Sequence, residues 1–160
     1  MAGVLVVADA ASVRDEVVSV LPAGEPCVQL AEGRAVRDVA AADPPDLAIV
    51  DLQVGSMGGI AICMDLRLEE SGGRLPHVPV LLLLDRRADV FLAKRCGAEG
   101  WIVKPLDPVR LRRAIEAVRA GGTFHDPTYQ PDPVLAGVGG APGSAAAGSG
   151  RPAATDIAPR

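Results

Sequence analysis

Five short apolar runs alternate with helix-type segments through the first 121 residues: Val4–Ala8, Pro26–Leu30, Leu47–Val50, Val78–Leu84 and Trp101–Val103. No two successive runs are separated by a hairpin-sized turn, so neighbouring strands need helical crossovers and run parallel. Val78–Leu84 reads Val-Pro-Val-Leu-Leu-Leu-Leu. It offers no polar position for a solvated face, as a central strand covered on both sides demands. The pattern predicts an α/β chain of five βα units around a doubly wound parallel sheet.

The segments between the runs carry helix punctuation. Ala11–Leu21 places Val13, Val17, Val18, Val20 and Leu21 on an apolar face. There Ser12 and Asp15 resemble a capping box, and Pro22 and Gly24 close the segment. Glu32–Ala42 stops at Asp43-Pro44-Pro45, Ile60–Glu70 at Ser71-Gly72-Gly73, and Ala88–Cys96 at Gly97. Val90, Phe91 and Leu92 are read as core. In the final helix Asp107 can cap and Pro108 suits the first position, while Leu111, Ala114, Ile115 and Val118 form one stripe. Residues 1–121 thus read as one domain. From Gly121 to Arg160, Gly, Pro and Ala supply more than half of the residues, without periodicity. Residues 122–160 are therefore expected to be an irregular tail, disordered unless bound to a partner.

Composition narrows the function. The 160-residue chain is 49% hydrophobic yet has only two Phe, one Tyr and one Trp, so its core must be aliphatic. A net charge of −4 argues against nucleic acid as the main partner. The tail is too poor in apolar residues for a DNA-binding domain. Arg110, Arg112, Arg113 and Arg119 give the last helix a basic face, read as solvated, ion-paired or protein-binding. No apolar run suffices for a transmembrane segment, and Met1-Ala2-Gly3 leads straight into a strand pattern. A cytoplasmic location is expected. Cys27, Cys63 and Cys96 are odd in number and set among apolar residues, which reads as reduced thiols rather than a disulfide or metal site. His77 and His125 fall in a loop and the tail and are not read as catalytic.

Three of the runs end in charge: Val4 to Asp9, Leu47 to Asp51, and Trp101 to Lys104-Pro105. Parallel strands gather their C-terminal ends, and ligands bind in the crevice beyond them. Asp51 is the candidate nucleophile, since a carboxylate can attack a phosphoryl group to give an acyl phosphate. Asp9 is the candidate metal ligand. Asp51 and the backbone carbonyl of Gln53 supply further oxygens, a hard set that suits Mg²⁺. Lys104, a compact point charge, would pair with the phosphoryl oxygens.

With Met57-Gly-Gly59, Pro79-Val80 and Gly97-Ala98 in the same order, these residues resemble the receiver domain of bacterial two-component response regulators. The resemblance implies a flavodoxin-like (βα)5 sheet of strand order 2-1-3-4-5. It also implies Asp51 as phosphoacceptor, Asp9 as direct metal ligand of Mg²⁺ and Lys104 as the phosphate-pairing lysine. Its partners would be proteins, a histidine kinase or a large multi-subunit complex, and it would be no enzyme toward other substrates. Several positions depart from the family pattern. Ala8 replaces a second acid that organises the metal's water, which weakens Mg²⁺ binding. Leu84 replaces a hydroxyl residue, and Asp85 stands where a small residue is normal. Trp101 takes the aromatic switch position. Asp85 is read as the N-cap of the following helix; the alternative puts its carboxylate on Lys104, in the place of a phosphoryl group.

Two functions follow. One is a single-domain atypical receiver acting through protein contact and modulated by phosphorylation of Asp51. The other is a degenerate receiver serving as a constitutive accessory subunit of a larger assembly, anchored by its tail.

Overall fold

The computed structural model describes residues 3–128. Its strands are β1 (Val4–Val7), β2 (Cys27–Leu30), β3 (Leu47–Asp51), β4 (Val80–Leu84), β5 (Gly100–Val103) and β6 (Phe124–His125). Its helices are α1 (Ala11–Ser19), α2 (Val36–Ala42), α3 (Gly59–Ser71), α4 (Val90–Arg95) and α5 (Pro108–Arg119). All neighbouring strands pair in parallel, in the order β2-β1-β3-β4-β5-β6. This is the expected 2-1-3-4-5 sheet with one strand added at its edge.

The period of two along each strand sorts the core into two layers. Leu5, Val7, Ala48, Val50, Leu82 and Leu84 face one way and pack under Val36, Ile62, Leu66 and Val90 of α2, α3 and α4. Val4, Val6, Leu47, Ile49, Leu81, Leu83 and Ile102 face the other way, against Val17 of α1 and Leu111, Ala114, Ile115 and Val118 of α5. Removing a side chain such as Leu111, 1% exposed, would cost roughly 2–5 kcal/mol. Helices α1 and α5 therefore cover one face, and α2, α3 and α4 the other.

Four local readings need correction. The Ser12–Asp15 box does not form, because α1 starts at Ala11 and its cap residue, Ala10, makes no side-chain bond. Ser12 already lies inside the helix. Val90 is buried, but Phe91 and Leu92 are 63% and 44% exposed. Three consecutive residues cannot share one face of a helix with a 3.6-residue period. Asp85 caps nothing: a short 3₁₀ turn, Arg87–Asp89, precedes α4, and its cap residue is Arg86.

The fourth correction concerns the domain end. Ordered structure continues past residue 121, because Phe124 and His125 pair with Gly100 and Trp101 of β5. Buried Asp126 fastens this strap. Its carboxylate accepts from the Val103 amide at 2.8 Å and from the Thr128 amide and hydroxyl at 2.9 and 2.7 Å. The His125 ring stacks on Trp101, with centroids 4.0 Å apart. The remainder of the expected tail, from residue 129, lies outside the described residues.

Candidate functional site

Each predicted site residue sits at or just beyond the C-terminal end of a strand. Asp51 is the last residue of β3 and is 3% exposed, while Lys104 and Asp85 directly follow β5 and β4. The Lys104 amide donates to the Leu84 carbonyl at 2.8 Å, which fixes its backbone beside Asp85. The Lys104 ammonium then donates to both Asp51 carboxylate oxygens, at 2.8 and 2.9 Å, and to Asp85 Oδ1 at 3.0 Å. Burial pulls the Lys104 ammonium down, but its hydrogen bonds to Asp51 and Asp85 outweigh that and hold it above its ordinary value. One cation is thus shared by a buried and a half-exposed carboxylate.

Asp9 lies two residues beyond β1 and is exposed. Its carboxylate accepts from the Gly55 amide, both oxygens at 2.7 Å, and so ties the loop after β3 to the end of β1. A Cβ at residue 55 would stand 2.8 Å from Asp9 Oδ2, so a larger residue there would displace that carboxylate. At Gly59 a Cβ would collide with the Asp51 carbonyl, so glycine lets α3 start directly against β3. Gln53 turns its amide to Asp51 Oδ1 at 3.2 Å. Lys104 and Asp51 are therefore in direct contact, whereas Asp9 is engaged with the neighbouring loop.

For a divalent ion, the chemistry of these donors fits Mg²⁺, which takes hard oxygens and keeps several waters. The set is sparse. Among the described residues no group of three or more His, Cys, Asp or Glu side chains is placed to hold a metal. Ala8 is fully buried and brings a methyl group where a third acid would add an oxygen.

Sequence reasoning missed several supports of this edge. Arg14 donates to the backbone carbonyls of Ala8 and Asp9, holding the turn that presents Asp9. Arg110 donates to the carbonyls of Val103 and Pro105 and faces Asp126 at 3.6 Å. At the far end of α5, away from this edge, Arg119 pairs with Glu25 at 2.9 Å, so half of the expected basic face of α5 is turned to internal partners. Asp126-Pro127-Thr128 carries the signature of a side-chain-closed turn and could have marked the strap.

Known proteins share this fold. The response regulator receiver domain family matches residues 4–116, and the chain belongs to that family. Over 131 residues it is 30% identical to the DNA-binding transcriptional activator DevR/DosR of Mycobacterium tuberculosis, covering 79% of this chain and 58% of that protein. Over 114 residues it is 39% identical to a protein-glutamate methylesterase/protein-glutamine glutaminase of Anaeromyxobacter dehalogenans, covering 67% and 31%. The chain therefore spans little more than half of the first relative and under a third of the second. Among solved structures, the chemotaxis response regulator CheY4 of Vibrio cholerae aligns with a TM-score of 0.65 at 30% identity, over 74% of this chain and 98% of that one. Receiver domains are generally signalling domains rather than enzymes; they interact with histidine kinases and other proteins and bind Mg²⁺ at the phosphorylation site. Among the described residues no helix is long and apolar enough to cross a membrane.

Proposed function

We propose that this chain is an atypical receiver that works by binding a protein partner, with Asp51 as a phosphoryl acceptor restrained by Asp85. The observation that carries this reading is the Lys104 ammonium, held at 2.8 Å by Asp51 and at 3.0 Å by Asp85. An incoming phosphoryl group needs the cation that Asp85 already engages. In this reading an Asp51 oxygen forms the bond to phosphorus, the leaving group departs with its electron pair, and Lys104 turns from Asp85 to the transferred oxygens. Asp9, Asp51 and the Gln53 carbonyl would hold Mg²⁺, whose charge would screen the approach of one anion to another. Ala8 makes that hold weaker than a site with one more acid. Leu84 has no hydroxyl to follow the phosphoryl group, so any change of state must pass through Lys104, Asp85 and the loops.

A second reading is favoured by the same two departures. With Leu84 at the end of β4 and Asp85 on Lys104, the ammonium is already engaged without a phosphoryl group, as a constitutive accessory subunit would need. The anchoring role given to the tail lies outside the described residues. Incubation with Mg²⁺ and acetyl phosphate, followed by peptide mapping, separates the two. An acyl phosphate on Asp51, absent from Asp51→Asn and accompanied by altered partner capture, is the expected result. No modification, with partner capture unchanged in Asp51→Ala, would leave only the accessory-subunit reading.

A further inference from the structure

Cys63 lies in the middle of α3 and Cys96 directly follows α4, and both are free thiols, 0% and 5% exposed. The Cys63 thiol donates to the Cys96 carbonyl at 3.4 Å and the Cys96 thiol to the Ala93 carbonyl at 3.2 Å. The first of these bonds places the Cys63 sulfur directly against the Cys96 residue. Neither belongs to the site at the strand ends. Cys96 borders two surface cavities between α3 and α4. One, of about 610 Å³, is lined by Met57, Met64, Leu68 and Arg95. The other, of about 250 Å³, is lined by Ile60 and Leu92. Cys96 thus lies at the floor of the groove, while Cys63 lines neither cavity and lies behind it.

The surroundings make the two sulfurs unequal. The neighbouring Cys63 thiol, which can donate to a Cys96 thiolate, draws the Cys96 thiol below its ordinary value against the effect of burial, helped by backbone amides and the Arg67 guanidinium. The bond to Cys96, and then burial, push the Cys63 thiol up. A thiol at the floor of a surface groove, drawn toward its thiolate and with a second thiol beside it, is the arrangement that peroxide-sensing pairs require.

We propose that Cys63 and Cys96 form a peroxide-responsive dithiol, Cys96 being the attacking sulfur and Cys63 the resolving one. The Cys96 thiolate attacks one oxygen of hydrogen peroxide. An S–O bond forms as the O–O bond breaks, and the departing hydroxide takes up a proton to become water. Cys63 then attacks the Cys96 sulfenic acid, its sulfur forming the S–S bond as the S–O bond breaks. The second hydroxide leaves as water with the Cys63 proton. Two thiols are oxidised by two electrons in all, and one peroxide is reduced to two waters. The product ties the middle of α3 to the end of α4 beneath the groove between them.

Cys27, half-buried at the sheet edge on β2, is the internal control: burial and then Glu25 raise its thiol. The test treats the reduced full chain with hydrogen peroxide, alkylates the remaining thiols, and maps peptides without reduction. The expected product is a Cys63 peptide joined to a Cys96 peptide, an intact mass lower by two hydrogens, and an alkylated Cys27. Cys96 should be consumed at least about tenfold faster than Cys27. In Cys63→Ala the reaction should stop at a Cys96 sulfenic acid that dimedone traps. The wild-type map needs no variant and decides the matter should Cys63→Ala fail to fold. Oxidised protein in which Cys63 and Cys96 are both alkylated, or in which chains are joined only through Cys27, would overturn the proposal. None of these readouts depends on Asp51.

Discussion

Two clusters of charge occupy opposite edges of the same sheet and are built differently. At the N-terminal edge, Arg67 of α3 donates to Glu99 at 2.8 and 2.9 Å, to Glu70 at 3.0 Å and to the carbonyls of Gly97 and Val78 at 3.1 Å. His77 adds contacts to Glu70 and Glu99 at 2.9 and 3.2 Å, and Glu99 also accepts from the Val80 amide at 2.7 Å. A guanidinium and an imidazole there serve two carboxylates and several carbonyls. At the C-terminal edge the single ammonium of Lys104 serves Asp51 and Asp85, with Asp9 on the neighbouring strand end. The first cluster has its donors matched to its acceptors and fastens α3 to the starts of β4 and β5. The second gives two carboxylates a single ammonium, with a third carboxylate on the next strand end.

The comparison breaks most visibly under substitution at its matched end. Arg67→Ala should lower stability in urea unfolding by roughly 2–4 kcal/mol, since Glu99 loses its guanidinium partner and the Val78 and Gly97 carbonyls lose their side-chain donor. Next in size is the strap beside the second cluster. Asp126→Asn should cost about 1–2 kcal/mol and shift the emission of Trp101, the chain's one tryptophan, to the red. Burial pushes the Asp126 carboxyl up, but bonds from the Val103 amide and from Thr128 outweigh it and hold the group below its ordinary value. Its stabilising effect is therefore present above that value, about 3.9, and lost as pH falls through the lower folded one. An acid titration should show the red shift below about pH 4 in the wild type and lack that step in Asp126→Asn. Asp51→Asn should change stability by less than about 1 kcal/mol, because Lys104 keeps Asp85 and a crowded carboxylate is relieved. A loss as large as that of Arg67→Ala would erase the distinction between the two edges.

How far the sequence spoke depended on how far each element satisfies itself locally. The apolar runs and α5 were legible because strand period, helix stripe and cap agree. Asp107 does accept from the Arg110 amide at 2.8 Å, as its position before Pro108 foretold. Strand β6 was not legible, because two residues carry no period and their hold comes from Trp101 and Val103 on another element. The positions of Asp51, Lys104 and Asp9 followed from strand ends alone. The partner of Asp85 did not, because turn propensity favours a cap there while the contact with Lys104 exists only once β4 and β5 lie side by side.

The central claim is that Asp85 competes with a phosphoryl group for Lys104. The most direct measurement is a titration of wild type and Asp85→Ala with beryllium fluoride in the presence of Mg²⁺, followed by fluorine NMR. Release of a partly exposed ion pair predicts affinity about two- to fivefold tighter in Asp85→Ala, with no binding in Asp51→Asn. Equal or weaker binding in Asp85→Ala, or binding that survives Asp51→Asn, would contradict it.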